Sequence, residues 1–200
     1  MIDTFSMKIK NHEFKARVDD LPEFEKKLLT VDPEFRGTDH QTDTYFNVKH
    51  GRLKLREGNI ENALINYDRE DIAGSKSSDV ILYRHTPDDA LKDILVRQFG
   101  IRVIVSKIRR IYFKGNVKFH FDTVEGLGSF IEVEAIDERE EFTAEQLKAQ
   151  CDHYLRFFGV TKEQLVDRSY SDMVEDGNQR LIKQNFRLKS VHLSWKILKK

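Results

Sequence analysis

An α+β fold, a closed eight-stranded antiparallel β-barrel with helices packed outside it, is predicted by three features of this 200-residue chain. Charged and apolar residues alternate with period 2 through eight segments, the mark of strands with one polar and one apolar face. The links between the last three segments are short enough for hairpins, so these neighbours run antiparallel. Only three prolines and ten glycines interrupt the chain, so the elements are long and regular, and eight strands suffice to close a barrel.

The first strand is Glu13–Val18, where Glu13, Lys15 and Arg17 alternate with Phe14, Ala16 and Val18. Asp19 or Asp20 caps a short helix carrying Leu21, Phe24 and Leu28 at helical spacing, with Pro22 in its first turn. Strand signals recur at Asp43–Val48, Arg52–Glu57, Ala63–Arg69 and Asp79–Thr86, with His50-Gly51 turning between the first two of these. Pro87 opens a helix whose Ala90, Leu91, Ile94, Leu95 and Phe99 form an apolar stripe ended by Gly100. Arg102–Phe113, Val117–Val124 and Leu127–Ala135 complete the strands, joined around Gly115-Asn116 and Gly126. Thr143 and Gln146 form a capping box for a helix through Phe157, and a last helical turn or two runs from Thr161 to about Val174.

Lys+Arg and Asp+Glu both number 34, a balance that excludes a binder of nucleic acid relying on bulk positive charge. The single cysteine, Cys151, excludes a disulfide framework and a multi-cysteine zinc site and fits a reducing compartment. Cys151 falls on the apolar face of its helix, where packing explains it. No apolar run approaches the ~20 residues that span a bilayer, and Met1–Lys10 lacks the apolar stretch of a signal peptide. A cytoplasmic protein without a membrane or nucleic-acid partner is expected. Residues 1–175 read as one domain. The segment 176–200 reads as a basic appendage, in which Val191, Leu193, Trp195 and Ile197 alternate with polar residues and suit packing on the domain or a homodimer.

The distribution of charge carries the functional signal. Arg52, Lys54 and Arg56 share one face of their strand, Lys107 and Arg109 share another, Arg69 ends a third, and Glu132 and Glu134 share a face opposite Ile131 and Val133. An open sheet with a wet face gives similar alternation. Here, however, each strand's charge is nearly single-signed, and the helices need the apolar face to cover. If the sheet closes with that face outward, the lumen holds eight bases (Lys15, Arg17, Arg52, Lys54, Arg56, Arg69, Lys107, Arg109). Four acids (Glu13, Asp122, Glu132, Glu134) accompany them, leaving an excess of four positive charges. Buried charge must be paired. Lysine and arginine forks suit phosphate oxygens, and clustered carboxylates suit a hard divalent cation shared with those phosphates. A triphosphate with Mg²⁺ or Mn²⁺ meets both demands.

The residues that carry a family resemblance are Asn11-His12-Glu13-Phe14-Lys15-Ala16-Arg17-Val18, Gln41-Thr42-Asp43-Thr44-Tyr45-Phe46, Gly51-Arg52-Leu53-Lys54-Leu55-Arg56-Glu57, Ile65-Asn66-Tyr67-Asp68-Arg69 and Val105-Ser106-Lys107-Ile108-Arg109. They continue through Phe121-Asp122-Thr123-Val124-Glu125-Gly126-Leu127-Gly128-Ser129-Phe130-Ile131-Glu132-Val133-Glu134 to Ser169-Tyr170-Ser171-Asp172. In this order the chain resembles the CYTH superfamily of triphosphate tunnel metalloenzymes, within it the class IV adenylyl cyclase-like branch. The resemblance implies a tunnel that binds a triphosphate such as ATP, and catalysis dependent on Mg²⁺ or Mn²⁺. It places Glu13, Asp122, Glu132 and Glu134 at the metal, and Lys15, Arg17, Lys54, Arg56, Arg69, Lys107 and Arg109 on the phosphates. It names Glu13, Lys15 and Arg109 as catalytic.

The family's first-strand motif is Glu-x-Glu-x-Lys, and here it reads Asn11-x-Glu13-x-Lys15. An amide carbonyl replaces one carboxylate and weakens divalent binding. Three functions follow. They are cyclisation of ATP to cyclic AMP and diphosphate, hydrolysis of thiamine triphosphate, tripolyphosphate or a nucleotide, and triphosphate binding without turnover. Arg52 and His120 fit the lumen or its rim, and Tyr45, Phe46 and Tyr67 suit either a base at the tunnel mouth or packing under the helices. His40, His50, His85, His153 and His192 show no zinc spacing, and Gly126-Leu127-Gly128 is a hairpin rather than a phosphate loop, because no helix follows it.

Overall fold

The computed structural model describes residues 7–68 and 76–179. Eight strands, all paired antiparallel, curl strongly around a polar interior, and helices lie on the outside. They are β1 (Met7–Arg17), β2 (Glu34–Phe46), β3 (Arg52–Glu57), β4 (Ala63–Asp68), β5 (Lys76–Arg84), β6 (Ile101–Lys114), β7 (Val117–Val124) and β8 (Gly128–Asp137). The helices are α1 (Leu21–Leu29), α2 (Asp89–Phe99), α3 (Ala144–Phe158) and a fourth, α4, over 170–179. The hydrogen-bonded order is β1-β5-β4-β3-β2-β6-β7-β8, and β1, paired with β5 along one edge, pairs with β8 along the other.

Local chemistry explains the helix ends. The Asp20 carboxylate accepts from the Glu23 N–H at 3.1 Å and starts α1, and Asp88 accepts from Ala90 at 2.8 Å to start α2. Thr143 and Gln146 complete the predicted capping box of α3. Gly159 ends α3 with φ 72°, a left-handed conformation that any side chain would strain.

The apolar residues of the alternating strands face outward, under the helices. Phe14, Phe119, Phe121, Ile131 and Val133 pack with Leu28 of α1 and with Leu147, Cys151 and Phe158 of α3. A second outer cluster joins Phe46 and Leu55 to Leu95 of α2, whereas Tyr45, Val105 and Phe130 share strand faces with Asp43, Lys107 and Glu132 and pack with Tyr170 of α4 on the inner side of the sheet. Cys151 is fully buried in the first cluster, and burial pushes its thiol up to about 12. The apolar faces under the helices leave the opposite, charged faces of the strands turned inward.

Three elements depart from expectation, the first being β1, which begins at Met7 rather than Glu13. β2 begins at Glu34 rather than Asp43, because Thr38–Gln41 is polar on both faces and shows no apolar alternation, although it pairs along β6. The segment after Thr161 is not helical at first. Arg17 donates its backbone N–H to Gln164 at 2.8 Å, Val166 donates to Lys15 at 2.9 Å, and Leu165 bridges Ala16. These bonds satisfy the part of β1 that extends beyond its pairing with β5, an edge otherwise open to other chains. Among the described residues no helix is long and apolar enough to cross a membrane. Most of the basic appendage, residues 180–200, lies outside the described residues.

Candidate active site

The curl of the sheet encloses a cavity of about 940 Å³. Alternate residues of each strand line it. β1 supplies Asn11, Glu13 and Lys15, β2 Asp43 and Tyr45, β3 Lys54 and Arg56, β6 Lys107 and Arg109, β7 Lys118 and His120, and β8 Glu132 and Glu134. Cross-strand register sets who meets whom. Glu13 stands opposite Glu134 and Lys15 opposite Glu132 on the β1–β8 ladder, and His120 stands opposite Glu132 on β7–β8.

One wall is acidic. Glu132 accepts from Lys15 at 2.8 Å and from Arg109 at 2.8 Å. His120 Nδ1 lies 3.3 Å from Glu132 Oε2 and 3.6 Å from Glu134 Oε1. Burial, with Arg109 and Lys118 nearby, pushes His120 down to about 3, so the ring is neutral. Burial and the adjacent Glu132 push Glu134 up to about 7, with Glu13 adding to the repulsion. Carboxylates crowded enough to raise one another's pKa fit a divalent cation, which relieves the repulsion that protonation otherwise relieves.

The facing wall is basic and centred on one acid. Buried Asp43 accepts from Lys54 at 3.1 Å, from Arg56 at 2.8 and 3.0 Å, and from Lys107 at 2.8 Å. These cations hold its carboxyl well below the usual range, although burial opposes them. Burial pushes Lys107 down to about 7, and Arg56, Arg109 and Lys54 add to this against the pull of Asp43. Glu61, from the β3–β4 loop, joins this group by accepting from Arg56 at 3.0 Å and from Lys118. That loop is pinned by Asp39, which accepts from the backbone N–H groups of Ile60 at 2.9 Å and Glu61 at 3.0 Å.

Most of the expected residues therefore converge: Glu13, Lys15, Lys54, Arg56, Lys107, Arg109, Glu132 and Glu134 all line the cavity. Others do not. Arg17 is exposed at the end of β1, with its guanidinium 4.6 Å from the Phe130 ring and bonded to the Leu127 carbonyl. Arg52 pairs with Asp172 of α4 at 2.9 Å, away from the cavity. Both oxygens of Asp122 are engaged, by Arg109 at 2.7 and 2.6 Å and by the Tyr170 hydroxyl at 2.8 Å, so this acid anchors Arg109 rather than facing the cavity. Arg69 lies outside the described residues.

The charge balance also differs from the expected excess of four. Nine basic and eight acidic side chains line the cavity among the described residues: Arg17, Arg52 and Asp122 stay out, while Arg36, Arg84, Lys118 and Arg139 enter with Asp43, Glu61, Asp137, Glu138 and Glu141. Asp43 was readable as the first residue of the expected strand Asp43–Val48, and Lys118 from alternation in Lys118-x-His120. Glu61 sits in a loop whose sequence carries no such signal.

Residues 10–170 match the family model described as the CYTH domain. Among curated proteins, the chain is 25% identical over 177 residues to a protein of Methanocaldococcus jannaschii named "Putative adenylate cyclase", spanning 80% of this chain and 96% of that one. It is 27% identical over 169 residues to "Adenylate cyclase CyaB" of Aeromonas hydrophila, with 82% and 87% covered. Among solved structures, a conserved hypothetical protein of Pyrococcus furiosus superposes with a TM-score of 0.69 at 22% identity, covering 81% of this chain and 98% of that one. A Hippeastrum protein described as revealing a dominant triphosphatase activity superposes with a TM-score of 0.57 at 14% identity, covering 86% and 96%. At these identities the structural likenesses establish the fold.

Proposed function

Because the chain belongs to the CYTH domain family, whose model covers residues 10–170, we propose that it is a metal-dependent enzyme acting on a triphosphate held inside the curled sheet, taken here as a closed tunnel. The observation that carries this reading is the opposition of two walls. Lys54, Arg56 and Lys107 gather on one side, Glu13, Glu132 and Glu134 on the other, and Lys15 and Arg109 straddle Glu132. The favoured reaction is that of a class IV adenylyl cyclase-like enzyme, and one curated relative is named "Adenylate cyclase CyaB" and the other "Putative adenylate cyclase".

In that reaction the ribose 3′-hydroxyl of ATP gives up its proton to solvent, its oxygen attacks the α-phosphorus, the bond from that phosphorus to the bridging oxygen breaks, and diphosphate leaves. Lys54, Arg56 and Lys107 bind the polyphosphate, exchanging Asp43 for phosphate oxygens. Arg109, held from behind by Asp122, and Lys15 place fixed positive charge where negative charge develops, so no reorganisation accompanies the step. Glu13, Glu132 and Glu134 would hold Mg²⁺ or Mn²⁺, which when bound neutralises phosphate charge and orients the chain of phosphates. Asn11 lines the cavity beyond Glu13, level with Ile136 on β8, so the amide stands next to the carboxylate wall.

Triphosphate hydrolysis is the second reading, because the Hippeastrum protein shares this fold and is described with that activity. The same walls would then direct water at the terminal phosphorus. Phosphorus NMR decides between the two after incubation with ATP, thiamine triphosphate or tripolyphosphate, with Mg²⁺ or Mn²⁺ and with chelator. Cyclic AMP with diphosphate is the expected product, orthophosphate establishes the hydrolase, and bound but unconverted triphosphate overturns both enzymatic readings.

Triphosphate binding has a further signature that needs no turnover. With Lys107 near 7, its amine is mostly neutral at pH 8, and a polyanion brought beside it favours the ammonium. Binding of tripolyphosphate without metal at pH 8 is therefore expected to take up about one proton per site, an uptake that fades below about pH 6. Calorimetric titration in buffers of different ionisation enthalpy measures this, and a binding enthalpy independent of buffer would contradict it.

A further inference from the structure

We infer that His120 is a third ligand of the metal held by Glu132 and Glu134, and that its nitrogen makes the site prefer first-row transition cations such as Mn²⁺ over Mg²⁺. The inference rests on the proposed carboxylate metal site and adds to it a donor that is not a carboxylate.

Three observations carry it. A ring nitrogen of His120 and a carboxylate oxygen from each of Glu132 and Glu134 fall within 4.8 Å of one another. The separations from Nδ1, 3.3 Å to Glu132 and 3.6 Å to Glu134, are close to the spacing of adjacent ligands around one ion. Metal–ligand bonds of about 2.1 Å put neighbouring donors about 3.0–3.4 Å apart in octahedral or tetrahedral geometry. The imidazole is only 1% exposed, and its Nε2 meets no hydrogen-bond partner among the described residues. The ring lines the cavity with Nδ1 turned to the two carboxylates, and with Nδ1 bound to a cation the proton of the neutral imidazole sits on Nε2.

The sequence supplies the reason such a donor matters in this chain. Asn11 offers an amide where the family motif has a carboxylate, so the site has fewer hard anionic oxygens. An imidazole adds a donor without adding charge. Mg²⁺ favours oxygen ligands and keeps its waters, while imidazole suits the transition metals, whose affinities rise from Mn²⁺ towards Cu²⁺. Replacing a carboxylate by an imidazole shifts the balance from Mg²⁺ towards Mn²⁺ and Co²⁺.

The full-length protein loaded with Mn²⁺ alone tests this by electron spin-echo envelope modulation and by competition with Mg²⁺. The expected result is ¹⁴N coupling from a directly bound imidazole and at least tenfold tighter binding of Mn²⁺ than of Mg²⁺. In His120→Asn both the coupling and most of the preference should be lost. In Glu134→Gln, Mn²⁺ binding should weaken and the nitrogen signal fall with it, which ties that signal to this site even if His120→Asn fails to fold. Mn²⁺ binding that depends on Glu134 but shows no nitrogen coupling, or equal affinities for Mn²⁺ and Mg²⁺, would overturn the role of His120 and leave the carboxylate site standing. Mn²⁺ binding indifferent to Glu134→Gln would overturn both.

Discussion

Arg109→Met is expected to destabilise the protein by about 3–5 kcal/mol, the cost of leaving a buried charge without its partner. Arg109 is 2% exposed and Asp122 is fully buried, and the pair is bidentate, with a third bond from the guanidinium to Glu132. Methionine fills much of the same volume, so the loss is electrostatic rather than a cavity. The pH dependence carries a definite sign. In the wild type Arg109 holds Asp122 below its usual value against the effect of burial. That contribution is present above the unfolded pKa and is lost as pH falls through the folded one. Without Arg109, burial dominates and raises the pKa, so the deficit is largest at neutral pH and narrows towards pH 4. Arg109→Met combined with Asp122→Asn should recover part of the stability, since removing both members of a buried pair is often close to neutral. Urea denaturation of the single and double variants at pH 7 and 4.5 measures this. A single variant within 1 kcal/mol of wild type would contradict it.

Glu134→Gln is expected to act in opposite directions on activity and stability. Turnover in the proposed reaction should fall by at least about 100-fold, the scale for removing one preorganised electrostatic group from a reaction centre. Stability at pH 8 should rise by an amount on the order of 1 kcal/mol, discounted because the side chain is partly exposed. The folded pKa of Glu134, about 7, lies above that of a free glutamate. The proton is therefore bound more tightly in the folded state, and stability is lost as pH rises through 7. Glutamine has no such loss, so the two melting curves should nearly coincide at pH 5 and separate by pH 8. Equal Tm differences at both pH values, or full activity in the variant, would contradict the prediction. A gain in stability at the expense of function is the usual mark of a residue kept for its chemistry.

How much of this was legible in the sequence depended on what each feature needed. β3 and β7 were readable to the residue, since Arg52–Glu57 and Val117–Val124 alternate cleanly, and the caps at Asp20 and Thr143 are local chemistry. The first half of β2 was not, because Thr38, Asp39, His40 and Gln41 are polar on both faces and only the long pairing with β6 makes them a strand. Alternation gives the face of a side chain but not its depth or its neighbours. Asp122 therefore shares a face with His120, yet Arg109 and Tyr170 claim it. Asp43 fell on the charged face of β2, but its role as the partner of three cations appears only when β3 and β6 flank β2. Glu61 needed the loop pinned by Asp39 and had no strand pattern to betray it.

The gathering of Lys54, Arg56 and Lys107 around Asp43 also governs how the protein responds to ionic strength. An open basic groove holds a cloud of mobile anions, and its affinity for polyanions falls steeply as salt replaces the entropy gained by freeing them. Here the counter-ion is covalently part of the chain and cannot diffuse away. On the proposed reading, an arriving phosphate group would displace a tethered carboxylate instead of free chloride, so affinity should decline with added salt less steeply than three lysine and arginine side chains would suggest. A weakly charged anion gains little by that exchange, whereas a ligand that engages several such cations at once gains at each of them. The discrimination rests on ligand valence, built in by one aspartate.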